Sequence, residues 1–188
     1  IWEAGVNHNG KMSLAKKLVD VAQQTKVDFV KFQTFKVENV ISRHAKKALY
    51  QKKNTDSKSS LYEMLKPLEL SFNQFIELKQ YCIKSKIEFL STPHDLESIE
   101  FLNKLGQKYF KIASGDINNY PMLKEISSLK QNVILSTGMS DLNEIDKALN
   151  VLSKNGLSNS KITLLHCTTE YPTPINDINL NAMVFMKD

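Results

Sequence analysis

Six apolar runs, each closed by a small polar cluster, constrain the fold of this chain more than any other feature. They read IWEAG (followed by VNHN), FVKFQT, IEFLSTP, YFKIASG, NVILSTG and ITLLHCTTEYP. Near-continuous apolar runs of this kind are the signature of parallel strands buried on both faces. When such strands end in Ser, Thr, Asn or Gln, their C-terminal ends jointly build one polar pocket. Ser, Thr and Gly also begin ordinary turns, but that reading needs a separate coincidence at every strand end. Gln33, Thr92, Ser114, Ser136 and Thr168 are therefore expected around a single mouth.

The segments between the runs carry helical periodicity. Leu14, Leu18, Val21 and Ala22 mark an apolar face after the first strand. Ser71 caps a helix whose apolar face is Phe72, Phe75, Ile76, Cys82 and Ile83. Asp95 caps the next, with Leu96, Ile99, Leu102 and Leu105 inward and Gly106 as its stop. Pro121 opens a short helix carrying Leu123 and Ile126. Asp141 and Glu144 form a capping-box start for Leu142, Ile145, Leu149 and Leu152, ending near Gly156. One stretch departs from the pattern. From Lys36 to Lys66 the chain is rich in Lys, Ser, Asn and Asp, too long for an ordinary βα loop, and it reads as a functional flap or a mobile insertion.

Strands alternating with helices in this order give parallel strands joined by right-handed crossovers. A doubly wound sheet and part of a (β/α)8 TIM barrel both satisfy that order. No GxGxxG follows the first strand, which weakens the dinucleotide-binding alternative. A complete barrel takes eight strands and about 250 residues. In 188 residues, the barrel reading therefore implies an N-terminal segment with about six of the eight strands. The native chain is then expected to continue past Asp188, and to begin upstream of Ile1, which is not Met. Barrel-interior residues such as Ile134 and Leu164 are expected to be exposed in such a segment.

The net charge of +5 comes from Lys scattered along helices and one loop. No basic stripe interleaved with aromatics accompanies it, which argues against nucleic acid and for a small anionic substrate. Cys82 and Cys167 form no CxxC pair and suggest no disulfide framework, so a reducing cytoplasm is the expected setting. No signal-peptide pattern and no apolar run of about 18 residues points to a membrane.

Lys31 and Lys111 sit inside the second and fourth strands, flanked by Val30, Phe32, Phe110 and Ile112. A lysine among such residues is costly unless it points into a polar cavity. There it can hold phosphate or carboxylate as a point charge, or form a Schiff base as in a class I aldolase. A strand lysine reaching the solvent end is the plain alternative. Ser114-Gly115 and Ser136-Thr137-Gly138 supply hydroxyls and glycine N–H groups suited to a phosphate. Glu3 and Asp116 can serve as base, sugar-hydroxyl acceptor or metal neighbour. His8, His94 and His166 lie near strand ends, but no HxH or HExxH spacing marks a metal site. Tyr171-Pro172 and Pro174 stiffen the loop after the sixth strand.

GVNHNG, VKFQTF, FLSTP, FKIASGDINNYP, ILSTGM and LLHCTTEYPTP occur in this order, and as a set they resemble the N-acetylneuraminate (sialic acid) synthase family, which includes legionaminate and pseudaminate synthases. The match runs from Ile1 to about Met183. The resemblance implies condensation of phosphoenolpyruvate with an N-acetylated mannosamine-type sugar to a nine-carbon sugar acid, with release of phosphate. It implies a TIM barrel followed by an antifreeze-like domain, both completed beyond this chain, and a homodimer. Lys31, Thr92, Lys111, Ser114 and Ser136 fall at phosphoenolpyruvate positions. Thr169 falls at another, which is Asn in some members. Gln33, Asn54, Asp116 and Tyr171 fall at amino-sugar positions, Asp116 standing where sialic acid synthases have Glu. Glu3 occupies a family acid near the reacting centre. The family's metal, Mn²⁺ or Mg²⁺, acts as a Lewis acid on the sugar aldehyde, and its two histidines belong to later strands, beyond Asp188. A non-catalytic anion-binding fragment remains the alternative from another class.

Overall fold

The computed structural model describes residues 1–46, 60–170 and 172–187; Asn54 and Tyr171 lie outside the described residues. The chain divides into two units, Ile1–Leu105 and Gly106–Asp188, each with its own three-stranded parallel sheet.

In the first unit, strands β1 (Trp2–Gly5), β2 (Phe29–Thr34) and β3 (Glu88–Pro93) pair in that order. The helices are α1 (Met12–Gln24), α2 (Val37–Val40), α3 (Leu61–Leu65), α4 (Phe72–Lys84) and α5 (Leu96–Lys104). Strand β2 is central: Val30 and Phe32 are fully buried, and Gln33 pairs in register with Thr92. The second unit repeats the scheme with β4 (Tyr109–Ile112), α6 (Tyr120–Ser128), β5 (Asn132–Ser136), α7 (Leu142–Lys154), β6 (Ile162–Leu165) and α8 (Asn181–Lys187). Its sheet order is β4-β5-β6, all parallel.

The expected α/β class, strand order and parallel pairing are present. The expected run of six barrel strands is not: among the described residues the strands form two sheets of three. The four-residue β4 takes its register from β5, Phe110 opposite Val133 and Ile112 opposite Leu135. Ile134 is buried and Leu164 half-buried, so the exposure expected of them is not found.

The helix caps stand as the sequence reads. Ser71 and Asp141 each complete a capping box, with Gln74 and Glu144. Asp95 accepts from Ser98 N, and Pro121 sits in the first turn of α6. The inward faces agree with those expected at Ala22, Phe75, Cys82, Ile99, Leu102, Leu123, Ile126, Ile145 and Leu152, all buried, and differ at their margins. In α1 the buried residues are Ala15, Val19 and Ala22, with Val21 exposed. In α4 they are Phe75, Leu78 and Cys82, while Ile76 and Ile83 face out. Leu96 of α5 and Leu142 of α7 are likewise exposed, with Ile99, Leu102, Ile145, Ala148 and Leu152 buried. Two alanines, Ala15 and Ala148, are buried where the neighbouring Leu14 and Leu149 are only half-buried, a choice that close packing decides.

The Lys36–Lys66 stretch is not loop throughout. Its described ends form α2 and α3, the latter with its own capping box from Ser60 and Glu63. Val37 is fully buried and its N–H donates to Glu69 Oε2 at 3.0 Å. Lys66 Nζ lies 2.8 Å from Glu38 Oε1, which also accepts from Tyr62 Oη at 3.0 Å. Lys66 holds the Glu38 carboxyl down to about 2. Polar side chains fasten these ends where apolar area is small.

Candidate functional site

Strand alternation decides which side chains of β2 share a face. Val30, Phe32 and Thr34 point one way, Lys31 and Gln33 the other. On the first face the hydroxyls of Thr34 and Ser91 bond at 2.6 Å, tying β2 to β3 inside the core. On the second face Lys31 is 5% exposed, which rules out a lysine reaching solvent. Its Nζ stands 2.5 Å from Glu3 Oε2 and donates to Thr92 Oγ1 at 3.2 Å. A buried ammonium needs such a counter-charge, and Glu3, its register partner on β1, supplies it. The Glu3 side chain is itself 56% exposed, so the pair opens outward at the strand edge. Gly5 (φ +51°) breaks the β1 register at a bulge. A Cβ there would stand 3.3 Å from Glu3 Oε1 and 3.9 Å from Gln33 Nε2, so carboxylate and amide border the same spot. Glu3, Lys31, Gln33 and Thr92 are thus brought together in the first unit.

Beyond the end of β2 lies a cavity of about 140 Å³. Among the described residues its wall is apolar, from Phe35, Val37, Val40, Ile41 and Leu65, with Gln33 and His94 as the polar side chains.

In the second unit Lys111 is half-buried and donates to Ser136 Oγ at 2.7 Å. Ser114 Oγ accepts from Gly138 N at 3.0 Å and lies 3.8 Å from Cys167 Sγ. Gly138 is wedged at the centre. A Cβ on it would stand 2.9 Å from Ser114 Oγ, 3.0 Å from Thr169 Cγ2 and 3.1 Å from the Cys167 carbonyl oxygen. Three strand ends therefore deliver Lys111, Ser114, Ser136 and Thr169 to one cluster of donors suited to an anion. Asp116 closes the 3₁₀ turn Ser114–Asp116 and is half-buried. Thr168, the remaining residue expected at the mouth, shares a hydrogen bond between its hydroxyl and that of Thr173, five residues on, at 2.5 Å.

Cys167 belongs to this cluster, whereas the sequence alone points only to its redox setting. Burial pushes its thiol up, but hydrogen bonds from Ser136, Thr137 N, Ser114 and Gly138 N outweigh that and leave it below its ordinary value. The available signal was its place between His166 and Thr168 at a strand end. Among the described residues no group of three or more His, Cys, Asp or Glu side chains is placed to hold a metal. These residues alone therefore do not fit a divalent ion. No helix among the described residues is long and apolar enough to cross a membrane.

Known proteins resemble this chain along its whole length. The chain is 56% identical over 188 residues to the N,N'-diacetyllegionaminic acid synthase of Campylobacter jejuni, covering all of this chain and 56% of that protein. It is 46% identical to the synthase of the same name from Legionella pneumophila, covering all of this chain and 53% of that one. The crystal structure of an N-acetylneuraminic acid (sialic acid) synthetase from Leptospira borgpetersenii superposes with a TM-score of 0.83 at 31% identity, over 99% of this chain and 59% of that one. The chain thus spans little more than half the length of these relatives. The NeuB family model matches residues 18–188, and the chain belongs to the NeuB family.

Proposed function

We propose that this chain carries the phosphoenolpyruvate-binding groups, and part of the amino-sugar-binding groups, of a nine-carbon sugar-acid synthase. It would form the N-terminal part of a (β/α)8 synthase domain. In the reaction, C3 of phosphoenolpyruvate attacks the aldehyde of an open-chain N-acetylated mannosamine-type sugar. Water adds at C2, and the tetrahedral intermediate collapses with loss of phosphate. The names of the relatives support this class. The observation that carries it in this chain is a lysine buried in an apolar strand and held by Glu3 and Thr92.

Lys31, Thr92, Lys111, Ser114, Ser136 and Thr169 bind phosphoenolpyruvate in this reading, the lysines offsetting charge on phosphate and carboxylate. Glu3 fixes the Lys31 ammonium and leaves its second oxygen facing the reacting centre. Gln33, Asn54, Asp116 and Tyr171 take the sugar. The same reading carries the homodimer, the cytoplasmic setting and the divalent ion implied by the resemblance.

A Schiff-base aldolase fits less well. A nucleophilic amine needs a free lone pair, whereas Lys31 Nζ is engaged by Glu3 and Thr92. The test is orthophosphate release by the full gene product. Release that requires both phosphoenolpyruvate and the sugar, with no borohydride-trapped adduct from pyruvate, is the expected result. A trapped lysine adduct, or binding without turnover, would overturn the synthase reading.

A further inference from the structure

We propose that the cavity at the end of β2 receives the short alkyl end of an N-acyl group on the amino sugar, and so sets which acylated sugar is accepted. The inference rests on the function proposed above and adds to it the part of the sugar that is read here.

Size and lining argue for such an occupant. The cavity is about 140 Å³, and an apolar cavity of about 150 Å³ stays dry yet holds a six-carbon ring. An acetyl or propanoyl group fits within that volume. Phe35, Val37, Val40, Ile41 and Leu65 offer it only hydrocarbon. Gln33, whose amide both donates and accepts, matches the C=O and N–H of a carboxamide. A sugar hydroxyl would leave the apolar wall unfilled, and a charged substituent would be desolvated against it. The chemistry selected is a small carboxamide with its alkyl end inward.

The wall is preformed. Val37 is fixed through Glu69, and α2 is tied to α3 by the Glu38, Tyr62 and Lys66 contacts. His94 N donates to Thr34 O at 3.1 Å, and its ring meets Phe35 edge-on with centroids 6.4 Å apart. A pocket held this way discriminates by size, because its walls do not simply collapse on a smaller group.

The test is phosphate release by the full gene product with sugars carrying formyl, acetyl or propanoyl on each acylated nitrogen in turn. At one nitrogen, formyl in place of acetyl should lower kcat/KM about ten-fold. Ile41→Ala should move the preference there toward propanoyl, and Val40→Phe should move it toward formyl, with thermal melts confirming that each variant folds. Equal kcat/KM across the acyl series in the unaltered protein overturns the pocket while leaving the synthase reading intact. Folded variants that keep the parent preference do the same. Absence of release with every sugar overturns both. Should a variant not fold, the acyl series on the unaltered protein decides alone.

Discussion

The two units are built alike and finished differently. Each has three parallel strands, a lysine interrupting an apolar strand, and hydroxyls where the strands stop. In the first, the lysine lies on the central strand and is buried with a carboxylate partner. In the second, it lies on an outer strand, half-buried against Ser136. Coverage follows the same contrast. Strand β2 is buried along most of its length, whereas no residue of β6 or α8 is buried, and Ile175, Leu180 and Phe185 are strongly exposed. The lesson is that a strand lysine tolerates burial when its counter-charge is built into the neighbouring strand, as Glu3 is for Lys31.

The largest effects should come from the covered layers. Phe32→Ala and Phe110→Ala, both at fully buried positions, should each cost about 3–5 kcal/mol in denaturant titrations. Phe185→Ala, at 69% exposure, should change stability by no more than about 0.5 kcal/mol. A cost at Phe185 comparable to that at Phe110 would break the contrast in coverage.

Next comes the anion cluster of the second unit. Gly138→Ala forces a Cβ against Ser114, Thr169 and Cys167 and should cost about 1–3 kcal/mol, with at least a ten-fold loss of phosphoenolpyruvate affinity. Gly115→Ala meets nothing within 4 Å, and affinity should stay within about two-fold of the parent, under 0.5 kcal/mol. Calorimetric titration of both variants separates the wedge from the turn.

Acid should weaken the first unit through two groups. Burial holds the His8 imidazole below its ordinary 6.5, so its contribution is complete above that value and is lost as pH falls through it. Hydrogen bonding from Lys66 holds Glu38 at about 2 against an ordinary 4.5. Its contribution is complete above 4.5 and lost as pH falls toward 2. Glu38 is on the surface, so salt should blunt only the lower stage. Melting temperatures between pH 7 and 3, with Glu38→Gln as control, check both; a salt-insensitive lower stage would contradict the Glu38 assignment.

The smallest effect concerns helix ends. Lys26 and Lys86 follow α1 and α4 with φ near +55°, a conformation costly for any residue with a Cβ. Gly106 and Gly156 hold the same conformation after α5 and α7 at no such cost. Lys26→Gly and Lys86→Gly should each stabilise by about 0.5 kcal/mol, read as a rise in melting temperature.

Legibility in the sequence followed the range of the interaction. Caps at Ser71, Asp95 and Asp141 depend on residues three apart and were readable, as were strand ends such as Gln33 and Ser136. Helix faces were readable at Phe75, Ile99 and Leu152, but Ala15 and Ala148 are buried where the larger Leu14 and Leu149 are only half-buried, a choice made by tertiary packing. Helices α2 and α3 were hidden in the polar stretch because four or five residues show no period. Cys167 escaped because its donors, Ser114 and Ser136, come from other strands.

The proposed reading has both lysines bind phosphoenolpyruvate, and calorimetric binding of that ligand to Lys31→Met and Lys111→Met in the full gene product tests it most directly. Each variant should bind at least ten-fold more weakly, a loss of about 1.4 kcal/mol, and should lose part of the salt dependence of binding. Affinity within two-fold of the parent in either variant, with the fold intact, would remove that lysine from the binding groups and contradict the proposed reading.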